Sequence, residues 1–175
     1  GKGPSEGWFF FSCYNTEQAY SLLEVNASQR DKDFIMAVNW KLAEQLAKEG
    51  KGKRVPGKHH SNWWNHKTHS TETTVYEHGC DVDPTGKYIV GSGKLAALIP
   101  VFSFEKMQAA IAANDLEGDF AGIPVLKYES VLHGEVKKPG LGPLHTEFDA
   151  NGNAYTSFFV SSEIVKWNVE KLEVV

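Results

Sequence analysis

A chain of 175 residues with 41% hydrophobic and 12% aromatic residues can bury the core of a folded domain, so its composition excludes a disordered protein. The formal net charge of −4 argues against a nucleic-acid partner. No apolar run approaches the roughly 20 residues that a membrane-spanning helix needs, and Gly1 begins no stretch typical of a secretion signal.

The two cysteines, Cys13 and Cys80, are too few for a disulfide framework or a zinc module. Both are expected to pack as small hydrophobic side chains, although a disulfide between them is also compatible with the sequence. Cysteine usage therefore leaves the redox compartment undecided.

The first 50 residues predict an alternation of strands and helices. The apolar run 8–11 is typical of a buried strand, and residues 34–38 predict a second one. Asn15 is a candidate N-cap for a short helix between them. Asn39 is the N-cap of a better helix, which Gly50 ends.

Hydrophobic periodicity is lost between residues 51 and 76, which predicts a long surface loop. This loop is rich in aromatic rings, namely His59, His60, Trp63, Trp64, His66 and His69. Its histidines are the obvious rival metal site of the chain. Neighbouring lysines disfavour a bound cation, and no acidic residue or cysteine completes the set, so a solvated basic loop is the favoured interpretation.

The rest of the chain predicts strands around one more helix. That helix spans residues 104–114, where large apolar side chains recur on one side. The predicted strands are residues 88–90, 96–102, 154–160 and 164–167. His133, alone beside Gly134, is expected at the surface.

An internal repeat is the pattern that carries most weight. Residues 78–88 read HGCDVDPTGKY and residues 145–155 read HTEFDANGNAY. Each copy is a histidine, a short strand, an Asp-x-x-Gly turn and an aromatic strand leading away. Strand–turn–strand units that recur with insertions between them are typical of β-propeller blades.

The repeat places His78 and His145 at similar offsets before the turn, five and four residues respectively. If the copies are successive blades, both histidines begin equivalent inner strands and point toward one end of the propeller axis. A ring of imidazoles without cysteine suits copper. The alternative is that each histidine only donates a hydrogen bond to a backbone carbonyl at a strand end.

Oxygen donors are concentrated in residues 14–17, YNTE, and 28–33, SQRDKD. Such donors bind calcium when they converge. Glu17 is explained equally well as an acidic residue in the first turn of a helix, so the residues alone leave the two interpretations open.

Several motifs, in order along almost the whole chain, resemble nitrous oxide reductases. They are YNTE at 14–17, EHGC at 77–80, GKL at 93–95, GLGPLHTEFD at 140–149, GNAYTS at 152–157 and VKWN at 165–168. The GLGPLH segment is the longest and most specific of them. The loop with Trp63 and Trp64 resembles the variant in one of the two major branches of that family.

The resemblance implies a mainly β fold with inserted helices, in which the chain forms about two to three blades of a seven-bladed β-propeller. Residues 1–175 would then be a fragment of the propeller domain. The family's cupredoxin domain, with its dinuclear copper centre, would lie outside this chain.

The resemblance also implies metal ligands. His78 and His145 match two of the seven histidines that hold the family's tetranuclear copper-sulfide cluster, whereas His59 and His60 do not match its ligand pair. A calcium ion beside the cluster would be bound by four residues, namely Tyr14, Glu17, Asp33 and the backbone carbonyl of Tyr76. Asp31 is the alternative to Asp33, because the spacing departs here from the better-known branch.

The implied reaction is the two-electron reduction of N2O to N2 and water, the last step of denitrification. The resemblance further implies a periplasmic homodimer that receives electrons from a c-type cytochrome or a small copper protein. The fragment alone is expected to be inactive. The alternative is a non-catalytic propeller used as a binding scaffold; a zinc hydrolase lacks support because no His-x-x-x-His pair lies on a helix.

Overall fold

The computed structural model describes residues 1–13, 34–51, 53–56, 62–65, 68–72, 77–93, 95–120 and 122–175. Over these residues the chain is mainly β with inserted helices, as the sequence predicts. No described helix is both long enough and apolar enough to cross a membrane.

The described part of the chain contains fifteen strands and three α-helices. The strands before residue 104 are β1 (Trp8–Cys13), β2 (Phe34–Asn39), β3 (Lys53–Pro56), β4 (Asn62–Asn65), β5 (Thr68–Glu72), β6 (Glu77–Val82), β7 (Tyr88–Gly93) and β8 (Leu98–Ser103). The later strands are β9 (Leu116–Phe120), β10 (Ile123–Leu126), β11 (Leu132–Lys137), β12 (Pro143–Phe148), β13 (Asn153–Phe158), β14 (Glu163–Asn168) and β15 (Glu173–Val174). The α-helices are α1 (Trp40–Lys48), α2 (Phe104–Ala113) and α3 (Tyr128–Val131).

The described strands form three larger sheets and one two-stranded ribbon, β3-β4. The first sheet has the order β1-β2-β5-β10-β9, in which only β5 and β10 run parallel. The second sheet, β11-β8-β7-β6, and the third, β12-β13-β14-β15, are antiparallel throughout. Each of these two antiparallel sheets contains one copy of the sequence repeat.

The second sheet packs between the other two, and its strand alternation explains how. Ile89 and Phe102 belong to a core cluster with Phe10 of the first sheet and with α2. Val90 and Val101, their neighbours in sequence, belong to another cluster with Trp167 of the third sheet. Because successive strand residues point to opposite faces, both faces of the middle sheet are buried and the three sheets stack.

The predicted N-cap Asn39 is confirmed, and the second long helix has two caps that were not predicted from the sequence. Asn39 accepts a hydrogen bond from the backbone nitrogen of Leu42 at 2.9 Å, which starts α1. Ser103 accepts one from the backbone nitrogen of Lys106 at the start of α2. Asn114, at φ 53°, adopts the left-handed conformation that ends α2.

The prediction of a continuous loop over residues 51–76 is wrong. Three strands lie in this range, and β5 is an interior strand of the first sheet, between β2 and β10. Its sequence, THSTE, has no hydrophobic alternation, so its strand conformation comes from backbone hydrogen bonds to neighbours on both sides. The short helix expected after Asn15, and the loop residues His59, His60 and His66, lie outside the described residues.

The two cysteines do not form a disulfide. Cys80 packs against the core cluster of Phe10, Ile89 and Phe102, whereas Cys13 packs against a separate cluster around Phe34. The expectation that they pack as small hydrophobic residues is confirmed, and the disulfide alternative is wrong.

Candidate functional site

The two repeat copies fold into equivalent aspartate-capped turns. Asp83 accepts hydrogen bonds from the backbone nitrogens of Thr85 at 3.0 Å and Tyr88 at 2.8 Å. Asp149 does the same with Asn151 at 2.8 Å and Asn153 at 2.9 Å. The first turn is one residue longer, but both connect the first strand of a four-stranded antiparallel sheet to the second strand.

Both histidines lie at a β-bulge at the start of their strand. In β6, Glu77 pairs with Gly93 and Gly79 with Ser92, so His78 is the extra residue. In β12, the register shifts by one residue between Pro143 and Thr146, the interval that contains His145. A bulge re-aims a side chain and ends regular pairing, and bulges are frequent beside active sites.

Strands β6 and β12 lie side by side, although they belong to different sheets. A Cβ atom on Gly79 would overlap the backbone carbonyl oxygen of Leu144 and lie 3.2 Å from Nδ1 of His145. The side chain of His145, which is exposed, therefore lies next to Gly79, the residue that directly follows His78. The strand geometry thus brings the two predicted ligand positions together.

A side-chain hydrogen bond joins the two strands just beyond this point. Oδ2 of Asp81, on β6, accepts a hydrogen bond of 2.8 Å from the backbone nitrogen of Thr146 on β12. Burial raises the pKa of the Asp81 carboxyl, while the Thr146 N–H and the charge of His145 act in the opposite direction. The half-buried carboxylate of Asp81 is therefore part of the surroundings of His145.

A buried chain of hydrogen bonds holds β12 from the other side. Oγ1 of Thr146 lies 2.8 Å from Oγ1 of Thr156, and Nε1 of Trp167 donates to Oγ1 of Thr156 at 2.9 Å. Thr146 is 3% exposed, and neither Thr156 nor Trp167 is exposed at all. Strand β12 is thus fixed to β13 and β14 within the third sheet, directly behind His145.

The remaining predicted site residues stand as follows. The backbone of His78 lies in β6. The predicted calcium ligands Tyr14, Glu17, Asp33 and Tyr76, and the alternative Asp31, lie outside the described residues. His133 lies half-buried on β11 with its ring centroid 4.6 Å from that of Tyr88, so it is less exposed than the sequence suggests.

Three residues of this site were not identified from the sequence, namely Gly79, Asp81 and Thr146. A glycine inside a strand was the available signal, because it often marks close approach of another backbone. No local pattern pointed to the bond between Asp81 and Thr146, since 65 residues separate them.

The arrangement offers imidazole to a metal at the β6–β12 edge. Among the described residues, no group of three or more His, Cys, Asp or Glu side chains could hold a metal ion. A metal at this edge would therefore need further ligands besides His78 and His145. The close packing of Gly79 against Leu144 brings the two histidine positions near each other, and imidazole is a suitable ligand for copper, so the chemistry of this pair is compatible with a shared copper site.

No protein-family model matches the chain. It is 31% identical over 170 residues to the nitrous-oxide reductase of Pseudomonas fluorescens and 32% identical over 168 residues to that of Stutzerimonas stutzeri. Each match covers 91% of this chain and 24% of the relative. The nitrous-oxide reductase of Ralstonia nicotianae is 32% identical, over 90% of this chain and 24% of its own.

These relatives belong to the family that the motifs resemble. The chain spans about a quarter of the length of each curated relative that it matches. The resemblance to nitrous-oxide reductases is confirmed along nine-tenths of this chain.

Proposed function

We propose that this chain is a propeller segment of a nitrous-oxide reductase, in which His78 and His145 bind the tetranuclear copper-sulfide cluster. The observation that carries the proposal is the side-by-side placement of β6 and β12, with a bulge at each histidine and the His145 ring beside Gly79. Similarity to named nitrous-oxide reductases over nine-tenths of the chain supports this choice of metal chemistry.

Sheet stacking supports the propeller part of the proposal. In a propeller, four-stranded antiparallel blades pack face to face, with their first strands lining the central channel. The second and third sheets are both four-stranded and antiparallel, and their first strands are the neighbours β6 and β12. Gly79 lies against Leu144 and Asp81 against Thr146, so these two strands run in the same direction.

The first sheet corresponds to a third, modified blade in this proposal. It packs against the second sheet through Phe10, Ile35 and Ala37, but it contains a parallel pair, β5 and β10. The chain therefore corresponds to about two to three of seven blades, with the other blades and a cupredoxin domain encoded elsewhere in the whole protein.

The proposed reaction is N2O + 2H⁺ + 2e⁻ → N2 + H2O, in which the N–O bond breaks and the oxygen leaves as water. When bound, the copper cluster supplies the two electrons and the binding position for N2O. His78 and His145 contribute neutral imidazole ligands, and Gly79 provides the close strand approach that brings them to one place. The carboxylate of Asp81 is close enough to His145 to interact with it electrostatically.

The sheet geometry also supports a calcium site near the start of β6. The described residues Cys13 and Phe34 are paired, and Phe34 is paired in turn with Glu72. These three described residues therefore lie at the same end of the first sheet. The proposed ligands Tyr14, Glu17, Asp33 and Tyr76 lie within four residues of them in sequence, and calcium bound by these ligands would order the chain that enters β6.

The setting of the protein is proposed on the resemblance alone. The whole enzyme would be a periplasmic homodimer, with a c-type cytochrome or a small copper protein as its electron donor.

Removing calcium with a chelator is expected to lower the copper content of the purified enzyme, measured by elemental analysis.

Histidine substitutions in the full-length protein, purified without air, test the main proposal. His78→Ala and His145→Ala are each expected to lower cluster copper and to reduce N2O turnover by at least 10-fold, since removing a ligand disrupts the metal geometry. His133→Ala is the matched control, because His133 lies on β11 and contacts Tyr88 and the carbonyl oxygen of Glu170 instead.

Elemental analysis and N2 production are the measurements. Full copper with normal turnover in either ligand variant contradicts the assignment of that histidine. A wild-type protein that folds stably and binds no copper would favour the non-catalytic scaffold.

A further inference from the structure

We infer that Asp81 is a positioning residue that holds β12 against β6 and thereby sets the separation of His78 and His145. The inference rests on the proposed function, because the separation matters only if both imidazoles share one metal cluster. Asp81 itself is not assigned as a ligand.

The first argument is that no ladder of backbone hydrogen bonds joins β6 to β12 in the described part of the chain. Each is the first strand of its own sheet, and the described pairings of β6 and β12 are to β7 and β13 respectively. The bond from the Thr146 nitrogen to Asp81 Oδ2 crosses this gap at 2.8 Å. A hydrogen bond between an N–H and a carboxylate is about twice as strong as a neutral one, so it is a suitable tie.

The second argument is the position of Thr146 in the chain. It directly follows His145, so a shift of its backbone nitrogen moves the Cα of His145, which is only about 3.8 Å from the Cα of Thr146. The hydroxyl of Thr146 is already held by Thr156 in the buried core. Asp81 fixes the same residue from the opposite side, so the backbone at His145 is restrained both toward its own sheet and toward β6.

The third argument is that the neighbouring carboxylate, Glu147, cannot hold β12 against β6. Glu147 is exposed and lies on β12 itself, two residues after His145. Its charge reaches Asp81, but a residue of β12 without a hydrogen bond to the described side chains of β6 does not restrain the gap. Glu147 is therefore the matched control, because its carboxylate lies near Asp81 but makes no described hydrogen bond to β6.

The experiment uses three variants of the full-length protein, namely Asp81→Ala, Asp81→Asn and Glu147→Gln. Hydrogen exchange of the peptide containing Thr146 is measured in the metal-free protein. Copper per chain and the visible absorption spectrum of the cluster are measured after loading.

Asp81→Ala is expected to speed exchange at Thr146 about 10-fold or more, because the buried N–H loses its acceptor. It is also expected to weaken copper retention about 10- to 100-fold and to shift the cluster spectrum, as loss of a group that orients a ligand does. Asp81→Asn keeps an acceptor oxygen of the same size and is expected to restore most of the protection and the copper. Glu147→Gln is expected to match the wild type in all three measurements.

An Asp81→Ala variant whose exchange rate at Thr146 and copper content equal those of the wild type would overturn the inference. An Asp81→Asn variant as defective as Asp81→Ala would overturn it too, because the acceptor at this position would not be what matters. Should Asp81→Ala fail to fold, Asp81→Asn is compared with Glu147→Gln. Faster exchange at Thr146 and lower copper in Asp81→Asn than in Glu147→Gln would then overturn the inference. A wild-type protein without copper refutes the proposed function instead, and exchange then still reports whether Asp81 ties the strands.

Discussion

Gly79 leaves no room for a side chain, because a Cβ there would overlap the carbonyl oxygen of Leu144 on the neighbouring strand. The atom in the way belongs to the backbone, so it cannot move aside as the end of a flexible side chain can. The contact lies one residue after His78 and one residue before His145. The closeness of the two histidine positions therefore depends on glycine at residue 79.

Gly79→Ala is expected to push β6 away from β12 and to destabilise the protein by about 1–3 kcal/mol, the usual cost of overpacking a well-packed region. Copper content should fall at the same time, because the two histidines move apart. Thermal unfolding and elemental analysis of the full-length protein measure the two effects.

Gly118→Ala is the matched control for Gly79→Ala. Gly118 is an exposed strand residue of β9, and a Cβ atom added to it would have no described atom within 4 Å. Alanine there should leave copper unchanged and keep or slightly raise the stability. If Gly79→Ala behaved like Gly118→Ala, the two strands would not be in close backbone contact in solution.

The hydroxyl of Thr156 satisfies a buried donor of Trp167. Thr156→Val keeps the shape of the side chain but leaves Nε1 of Trp167 without its acceptor in a site that is not exposed. The free energy of unfolding is expected to fall by about 1–3 kcal/mol, the cost of an unsatisfied buried polar group. Thr156→Ser, which keeps the hydroxyl, should lose clearly less; equal losses would mean that the methyl group and not the hydrogen bond is what stabilises this core.

Local signals predicted the N-cap Asn39 and the turns of the repeat. Asn39 bonds to a backbone nitrogen three residues away, and Asp83 and Asp149 bond to nitrogens two to five residues away. Such bonds depend on neighbours in the chain, so the residue type at one position is a sufficient indication. The similar folding of the two repeats follows from the same local chemistry.

Interactions between distant segments could not be predicted in this way. Strand β5 is polar and is held by β2 and by β10, which follows it by about 50 residues. The bulges at His78 and His145 depend on the pairing of their strands with β7 and β13. The bond between Asp81 and Thr146 depends on how two whole sheets pack.

The middle sheet should show two independent cores. Ile89 and Val90 are adjacent and fully buried, but they belong to clusters on opposite faces. Ile89→Val is expected to cost about 0.5–1.5 kcal/mol, and Val90→Ala a similar or larger amount. Their effects on the unfolding free energy should be close to additive, because the two side chains belong to separate core clusters. A large coupling energy in the double variant would contradict the stacking of three sheets.

Asp149 makes the stability of the second repeat turn dependent on acid pH. Hydrogen bonds from the side chain and backbone of Asn153, and then from the backbone of Asn151, lower the pKa of Asp149 from 3.8 to about 2. A carboxyl whose pKa is lower in the folded state stabilises the fold above its unfolded pKa. This contribution is therefore present above about pH 4 and is lost as the pH falls toward about 2.

Asp149→Asn removes the charge and should loosen the turn most at the pH values where the wild-type carboxylate is ionised. Hydrogen exchange of the peptide that contains Asn151 and Asn153, compared between wild type and variant at each pH, measures the local stability without the intrinsic pH dependence of exchange. We expect a clear difference at pH 5 that narrows steadily toward pH 2.5, because the wild-type carboxyl then becomes protonated as well. A difference that stays constant across this range would show that ionised Asp149 does not hold the turn, and the backbone pairing of Asp149 with Asn153 would then suffice on its own.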